Sequence, residues 1–121
     1  MKILSSLILV TASLFSLQLQ AGEQESKAWE LIETGSLVID VRTTEEYAQG
    51  HLADSLHIPY QQITSQLNNQ GIRKDRQIVL YCRSGRRASV AEAALRQAGY
   101  SNIFNGGGLE PLLKEKLLLA N

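Results

Sequence analysis

Residues 78–87 read Ile-Val-Leu-Tyr-Cys-Arg-Ser-Gly-Arg-Arg, and this stretch decides the fold. The four residues before Cys82 form a continuous apolar run, which predicts a buried strand. Residues 82–86 contain a glycine and no large aliphatic residue, so they predict a loop. Beyond them, apolar residues recur at helical spacing as far as Ala98, and Gly99 follows as a stop signal. The chain thus places its only cysteine between a buried strand and a helix.

The same order of strand and helix recurs along the rest of the chain. Residues 37–41, 56–58 and 103–104 form further short apolar runs, separated by segments of helical character. Because these strands are apolar throughout rather than alternating, they predict an α/β fold with a parallel sheet covered on both faces. Sites in such sheets form beyond the carboxyl ends of the strands. One edge should therefore carry Asp40, Val41, Arg42, Cys82, Asn105 and Gly106.

Local signals predict how several of these elements begin and end. Ser26 can cap a first helix, and Thr43 and Glu46 have the spacing of a capping box for a second one. Residues 106–108 are three glycines, which predict a flexible turn. They are a poor phosphate-binding signal, since no Gly-Lys-Ser/Thr sequence follows them.

The amino-terminal residues differ from the rest of the chain. Lys2 is the only charge before Glu23, and the residues up to Leu17 are mostly apolar. This pattern predicts a secretory signal peptide over residues 1–21, cut after Ala21, and an exported single domain over residues 22–121. The alternative is an uncleaved membrane anchor, but the apolar stretch is shorter than the ~20 residues of a span and contains serines.

The composition of the chain limits the kinds of binding partner that we expect. Twelve basic and twelve acidic side chains give a formal net charge of zero, so no global charge favours nucleic acid or an anionic membrane surface. We expect a monomer without nucleic acid, stable membrane association or cofactor. A single cysteine excludes an internal disulfide, and a lone thiol in an oxidising compartment is a liability unless it is buried or used.

Cys82 has two interpretations. A free cysteine is often just a small buried apolar side chain. Its neighbours favour a nucleophile instead, because nearby arginines and the start of a helix both stabilise a thiolate. Cations at a helix start are disfavoured unless an anion binds there, and residues 73–87 hold six basic residues and one acid. An anionic substrate should therefore contact Arg83, Ser84, Gly85, Arg86 and Arg87.

Other polar residues carry weaker signals. Asp40 and Arg42 flank Val41 at a strand end, where a structural role is as consistent with the sequence as a catalytic one. His51 and His57 could act as a base or as metal ligands, but the chain has one cysteine and no His-x-x-x-His spacing. We expect both histidines to be structural and no metal to be bound.

Three segments in order resemble the rhodanese family. Residues 78–87 resemble its active-site loop, residues 38–59 its amino-terminal signature, and residues 99–109 its carboxyl-terminal end. Together they cover nearly all of the chain after residue 21, and with the signal peptide they resemble the small periplasmic single-domain rhodaneses. Residues 109–111 depart from the pattern, since many relatives carry a tryptophan after the glycines, and this leaves the packing at that edge of the domain in question.

The resemblance implies a three-layer fold with a five-stranded parallel sheet, a periplasmic location and sulfur transfer. Cys82 would take sulfane sulfur from an anionic donor such as thiosulfate, and the amides of residues 83–87 would hold the resulting persulfide. Cyanide or a thiol would then accept the sulfur, which is the two-step logic of covalent catalysis. Asp40 and Arg42 would support the site.

Three other functions remain open. Phosphatases and arsenate reductases on this fold use a cysteine, five residues and then an arginine, whereas here Ala88 takes that position and Arg87 comes one residue early. A rhodanese-like module that only binds a partner is the second alternative, although such modules often lack the cysteine. A thiol–disulfide oxidoreductase is disfavoured because no second cysteine can resolve a mixed disulfide.

Overall fold

The computed structural model describes residues 22–121. The signal peptide predicted for residues 1–21 lies outside the described residues. The helices are α1 (Glu23–Glu33), α2 (Thr44–Gln49), α3 (Ile63–Asn69), α4 (Arg86–Gln97) and α5 (Leu109–Leu119), with a 3-10 turn at Tyr60–Gln62. The strands are β1 (Leu37–Asp40), β2 (Leu56–His57), β3 (Ile78–Cys82) and β4 (Ile103–Gly108).

All strand pairs in the sheet are parallel, and the strand order is β2-β1-β3-β4. The α/β class and the parallel sheet predicted from the sequence are confirmed. The expected number of strands is wrong, since residues 22–121 contain four strands and not five. The described chain starts directly in a helix, and the edge strand β2 has only two residues, so the sheet is narrower than expected.

Apolar side chains bury both faces of the sheet. On one face, residues of β1 and β3 pack against α3 and α4. On the other face, the alternate residues of the same strands pack against α1 and α5, with Trp29 and Leu112 at the centre. The indole Nε1 of Trp29 donates a hydrogen bond of 2.8 Å to the Leu112 carbonyl. The edge formed by residues 109–112 is therefore packed by leucines and Trp29 rather than left open.

Two local predictions are wrong. Helix α1 begins at Glu23 with Gly22 as its N-cap, and the Ser26 amide already donates to the Gly22 carbonyl, so Ser26 is not the cap. The glycines at 106–108 are not a flexible turn but the buried end of β4. A Cβ at Gly106 or Gly108 would crowd or collide with neighbouring atoms, and Gly107 adopts a φ of 93° that favours glycine. The capping box of Thr43 and Glu46 is confirmed.

The strand ends meet as predicted. Cys82 ends β3 and is in register with Gly108 at the end of β4, while Asp40 ends β1 and is in register with Tyr81. One edge of the sheet thus collects the residues whose chemistry the sequence singled out. Within residues 22–121, no helix is both long and apolar enough to cross a membrane.

Candidate active site

Cys82 lies at the bottom of a cradle of backbone amides. Its residue exposure is 0%, and the Gly85 amide donates a hydrogen bond of 3.0 Å to its Sγ. Burial alone raises the pKa of the Cys82 thiol, but the backbone N–H groups of Ala88, Ser84, Gly85 and Arg87 outweigh that effect and lower the pKa below its ordinary value. Cys82 is therefore buried, and its surroundings still favour the thiolate over the thiol.

The cradle exists because the loop turns into a helix within four residues. Gly85 is the N-cap of α4 and adopts φ 95° and ψ −13°, a left-handed conformation that glycine enters without steric cost. This turn directs the amides of the first helical turn back towards Cys82. Amides in the first turn of a helix have no partner within it and so remain available to an anion.

Close backbone packing holds this loop against β4. A Cβ atom on Gly108 would collide with the carbonyl of Arg83, so no larger residue fits there without displacing the loop. Nearby, the Asn105 Nδ2 donates 2.9 Å to the Gly85 carbonyl. The glycines after Asn105 thus allow β4 to lie directly under the active-site loop.

The three loop arginines have different surroundings. Arg87 forms a two-pronged ion pair with Glu46, with distances of 2.7 Å and 2.9 Å. Arg83 and Arg86 are exposed and have no hydrogen-bond or ion-pair partner within residues 22–121. The Arg87 guanidinium thus already faces a carboxylate, and the binding of an anionic substrate by the three arginines stays a prediction. The pKa of the Arg87 guanidinium is raised mainly by Glu46 and also by the Cys82 thiolate, and the Arg87 backbone amide lowers the pKa of the thiol.

The basic cluster inferred from residues 73–87 is also divided in space. Arg73, Lys74 and Arg76 precede β3, so the five residues of that strand, roughly 3.3 Å each, separate them from Cys82. Arg73 pairs with Asp75, and Lys74 lies 4.0 Å from the ring centre of Tyr100. The field expected from residues close in sequence is weaker at the site, because a strand carries its two ends to opposite edges of the sheet.

Ser84 and the remaining predicted loop residues contribute through the backbone. The Ser84 side chain is exposed, and its amide is one of the four that face the sulfur. The Ala88 amide, one residue beyond the predicted loop, is another of them. That the amides of residues 83–87 hold a persulfide stays a prediction.

Asp40 and Arg42 form a buried pair beside the site. Arg42 Nη2 lies 2.6 Å from Asp40 Oδ2 and 2.7 Å from the Gly50 carbonyl. The Asp40 carboxylate also accepts from the Arg42 amide at 2.9 Å and raises the pKa of the Arg42 guanidinium. These contacts join the end of β1 to the segment after α2, which is a supporting role and leaves no carboxylate oxygen of Asp40 exposed.

Both histidines lie in structural contacts. The ring of His51 stacks on Tyr47 at 3.6 Å between centroids, and His57 Nε2 lies 2.8 Å from the Arg42 carbonyl. Within residues 22–121, no three residues of the types that ligate metals cluster together.

A groove of about 400 Å³ opens next to the active-site loop. Arg83 lies on one side of it and Glu110, at the start of α5, is a second charged residue of its lining. Arg42 and Glu46 also line it, but each is already paired with another residue. The groove is lined by Arg42, Glu46, Gln49, Arg83, Leu109 and Glu110. The groove can admit a small ligand, which would interact electrostatically with Arg83 and Glu110.

Three contributors to the site were not recognised from the sequence. Glu46 was assigned only to a helix cap, Asn105 only to a strand edge, and Gly108 to a turn. An acidic residue in a first helical turn and a glycine run after a strand are each explained locally, so no sequence signal pointed from them to Cys82. Their partners lie 20 or more residues away along the chain.

The fold and the cradle together place a buried cysteine with a lowered thiol pKa at the edge of a parallel sheet, an arrangement suited to nucleophilic group transfer. The rhodanese-like domain family matches residues 24–111. The chain therefore belongs to the rhodanese family, as its sequence motifs indicated.

Two similar proteins and two similar structures extend this result. A sulfurtransferase of Allochromatium vinosum is 40% identical over 84 residues, which are 69% of this chain and 77% of that protein. The thiosulfate sulfurtransferase PspE of Escherichia coli is 30% identical over 65% of this chain and 76% of its own length.

Among solved structures, an Escherichia coli rhodanese with anions has a TM-score of 0.60 and 30% identity, covering 64% of this chain and 91% of that one. A human single-domain sulfurtransferase has a TM-score of 0.65 and 25% identity, covering 74% of this chain and 91% of that one. Sulfur transfer is thus the activity of the family to which this chain belongs.

Proposed function

We propose that the protein is a thiosulfate sulfurtransferase that carries sulfane sulfur as a persulfide on Cys82. The amide cradle carries this proposal, since the Gly85 amide donates to Cys82 Sγ at 3.0 Å and the backbone amides of Ala88, Ser84 and Arg87 also lower the pKa of the thiol. Such donors stabilise negative charge on the thiolate, and they can equally stabilise the terminal sulfur of a persulfide. The name of the Escherichia coli relative supports thiosulfate as the donor.

The first half-reaction is a displacement at sulfur. The Cys82 thiolate attacks the outer sulfur of thiosulfate, the bond between the two thiosulfate sulfurs breaks, and sulfite leaves with that electron pair. A negatively charged persulfide remains on Cys82, so charge is conserved. No general base is needed, because the amides already favour the thiolate.

The second half-reaction returns the enzyme to its starting state. Cyanide attacks the terminal sulfur and leaves as thiocyanate, or a thiolate attacks and leaves as a new persulfide. In both cases the sulfur–sulfur bond to Cys82 breaks and its electron pair restores the Cys82 thiolate. We expect donor and acceptor to approach along the groove lined by Arg83 and Glu110, which lies next to the active-site loop.

Phosphate or arsenate chemistry is less consistent with this site. The residue six positions after Cys82 is Ala88, which is fully buried and has no polar side chain. Arg87, one residue earlier, donates from both terminal nitrogens of its guanidinium to the Glu46 carboxylate. A tetrahedral oxyanion would therefore lack the fork of donors on which those enzymes depend.

The site also carries what a purely binding module does not need. Cys82 belongs to the apolar cluster on one face of the sheet, but packing alone does not require the backbone amides that lower the pKa of its thiol. We therefore favour a catalytic role over a partner-binding one.

Export to the periplasm is part of the same proposal. It rests on the sequence pattern of residues 1–21, which has a basic start, an apolar middle and Ala21 at the exit. The protein expressed from residues 1–121 should be recovered from the periplasmic fraction. Its mass should be that of a chain that begins at Gly22. Recovery of the uncut chain from the membrane fraction would refute export with cleavage.

The intact mass of the protein of residues 22–121 tests the chemistry. Treatment with thiosulfate should add one sulfur atom, cyanide should remove it, and Cys82→Ser should gain none. A wild-type protein that gains no sulfur, while its thiol still reacts with iodoacetamide, would refute the sulfurtransferase proposal. Release of phosphate from an aryl phosphate by that same protein would then favour the phosphatase alternative.

A further inference from the structure

Asn105 bridges β4 and the active-site loop with both ends of its amide. Its Nδ2 donates 2.9 Å to the Gly85 carbonyl, and its Oδ1 accepts 2.9 Å from the Gly107 amide. Only one orientation of the amide can satisfy both partners, because one partner is a carbonyl and the other an N–H group. The side chain is thus fixed between the strand and the loop.

The backbone of Asn105 is itself anchored. The Gln24 Nε2 in α1 donates 2.8 Å to the Asn105 carbonyl. Asn105 belongs to β4, whose neighbouring residues pair with β3. The residue is therefore part of the rigid sheet, whereas its partner Gly85 belongs to a loop.

The Gly85 carbonyl is the point at which the loop becomes a helix. It accepts from Asn105 and also from the Ser89 amide at 2.9 Å, which is the first hydrogen bond of α4. Gly85 also has a φ of 95° and donates its own amide to Cys82 Sγ. A contact that fixes this carbonyl therefore fixes the direction of the amides before and after it.

We propose that Asn105 is a positioning residue of the sulfur-transfer site, which ties the Gly85 carbonyl to β4 and so keeps the loop amides directed at Cys82 Sγ. This inference rests on the proposed function, because the amides matter to catalysis only if the sulfur carries charge. The hydrogen bonds of the Asn105 side chain go to Gly85 and Gly107, and Asn105 does not line the groove. It acts through Gly85.

Two variants of Asn105 test this role. Asn105→Ala removes both contacts of the side chain. Asn105→Asp keeps the acceptor for Gly107 but replaces the donor to Gly85 with a carboxylate oxygen, so it separates the two contacts. Asn102→Ala is the matched control, since Asn102 precedes β4 and its side chain makes only a 3.5 Å contact to the Asp75 carbonyl.

The pH dependence of Cys82 alkylation by iodoacetamide is the first readout. We expect the midpoint to rise by about one pH unit in Asn105→Ala and Asn105→Asp, because an amide cradle that has lost its direction stabilises the thiolate less. The rate of sulfur loading from thiosulfate should fall about tenfold. Asn102→Ala should match the wild type in both measurements.

Fluorescence of Trp29, the single tryptophan, measures unfolding of each variant in parallel. A merely structural role would lower the urea midpoint and leave the alkylation midpoint of the folded protein unchanged, and this result would overturn the proposal. If Asn105→Ala does not fold, Asn105→Asp and Asn105→Ser provide the same comparison.

Failure of the two proposals can be told apart. A wild-type protein that takes up no sulfur refutes the proposed function, whatever the Asn105 variants do. An unchanged alkylation midpoint in folded Asn105 variants refutes the positioning role even when the wild type transfers sulfur.

Discussion

Glu46 and Arg87 face each other with both oxygens and both terminal nitrogens, at 2.7 Å and 2.9 Å, across 41 residues of sequence. The Glu46 carboxylate also closes the capping box of α2 by accepting from the Thr43 amide at 3.0 Å. One side chain therefore caps a helix and holds the first turn of α4, which supplies the Arg87 and Ala88 amides to Cys82. The ion pair therefore holds in place the helical turn that carries the Arg87 and Ala88 amides.

Replacing Glu46 should make the free energy of unfolding depend less on pH in the acidic range. Arg87 lowers the pKa of Glu46 from its ordinary 4.5 to about 2, so the pair stabilises the folded state fully above pH 4.5 and loses that effect as the pH falls towards 2. Glu46→Gln keeps a capping side chain and removes the charge. We expect a loss of about 1–2 kcal/mol at pH 7, below the full linkage value because the pair is partly exposed.

Urea unfolding of both proteins, followed by Trp29 fluorescence between pH 7 and pH 2.5, measures this difference. The two free energies of unfolding should converge as the pH falls below about 4. A difference that stays constant over the whole range would contradict the assignment of the effect to the charge of Glu46.

The Cys82 thiol should titrate at a lower pH in the folded protein than in the unfolded chain. Burial raises the pKa of the thiol, but the backbone amides of Ala88, Ser84, Gly85 and Arg87 together lower it by more than burial raises it. The thiolate therefore forms below the ordinary pKa of cysteine. Alkylation rates measured against pH should show this midpoint, and the same protein in concentrated urea should show the ordinary one. Equal midpoints in the two states would contradict an amide cradle.

Two glycines of β4 should respond differently to alanine. A Cβ on Gly108 collides with the Arg83 carbonyl, so Gly108→Ala should displace the loop and reduce sulfur loading at least about tenfold. A Cβ on Gly106 meets Val79, Ala28 and Leu80 at 3.2–3.3 Å, away from Cys82. Gly106→Ala should therefore cost stability, about 1–3 kcal/mol for overpacking, with a smaller effect on the loading rate.

Sulfur-loading rates of the fraction of each protein that is folded, judged by Trp29 fluorescence, make this comparison. Equal effects of the two substitutions on the loading rate would contradict a specific role for Gly108 beneath the loop.

Opposite charges in the groove should act in opposite directions on the donor. Arg83→Gln should raise the KM for thiosulfate several-fold, because the unpaired guanidinium attracts the dianion. Glu110→Gln should lower that KM, since it removes a like charge from the same groove. Steady-state assays at low and high salt would check both, and both effects should shrink with salt. Changes of the same sign in the two variants would contradict this view of the groove.

Breaking the buried pair of Asp40 and Arg42 should destabilise the fold strongly. Asp40→Asn leaves the Arg42 guanidinium, with 7% of its side chain exposed, without its charged partner, and we expect a loss of about 3 kcal/mol. Asp75→Asn is the matched control, because it removes a carboxylate from the exposed pair with Arg73 and should change the urea midpoint little. Similar losses in the two variants would contradict the supporting role of Asp40.

The sequence alone predicted most of the framework and the position of Cys82 within it. Apolar runs without alternation predicted a parallel sheet with two covered faces, and the structure places an apolar cluster on each face. The position of Cys82 after such a run, before a glycine and a helix, predicted its place at the carboxyl edge. These inferences succeed because they depend on local periodicity and on the rule that parallel strands share an edge.

Charge was the weakest sequence-based inference. Arg87 and the basic residues before β3 were counted towards one positive field, yet Glu46 pairs with Arg87 and a whole strand separates the others from Cys82. The sequence places charges along a line, whereas the field at a site depends on distance in space and on the partner of each charge.

The sequence by itself determined the α/β class, the parallel strands and the cysteine at the sheet edge, because each follows from the spacing of neighbouring residues. Only the tertiary structure decided which groups surround that cysteine: the amides of Ser84, Gly85, Arg87 and Ala88, held by Asn105 and Glu46 from other elements. Backbone amides are the same in every residue, so no sequence pattern shows where they point. Their direction is set by the folded chain, where β4 and α2 fix the loop against Cys82.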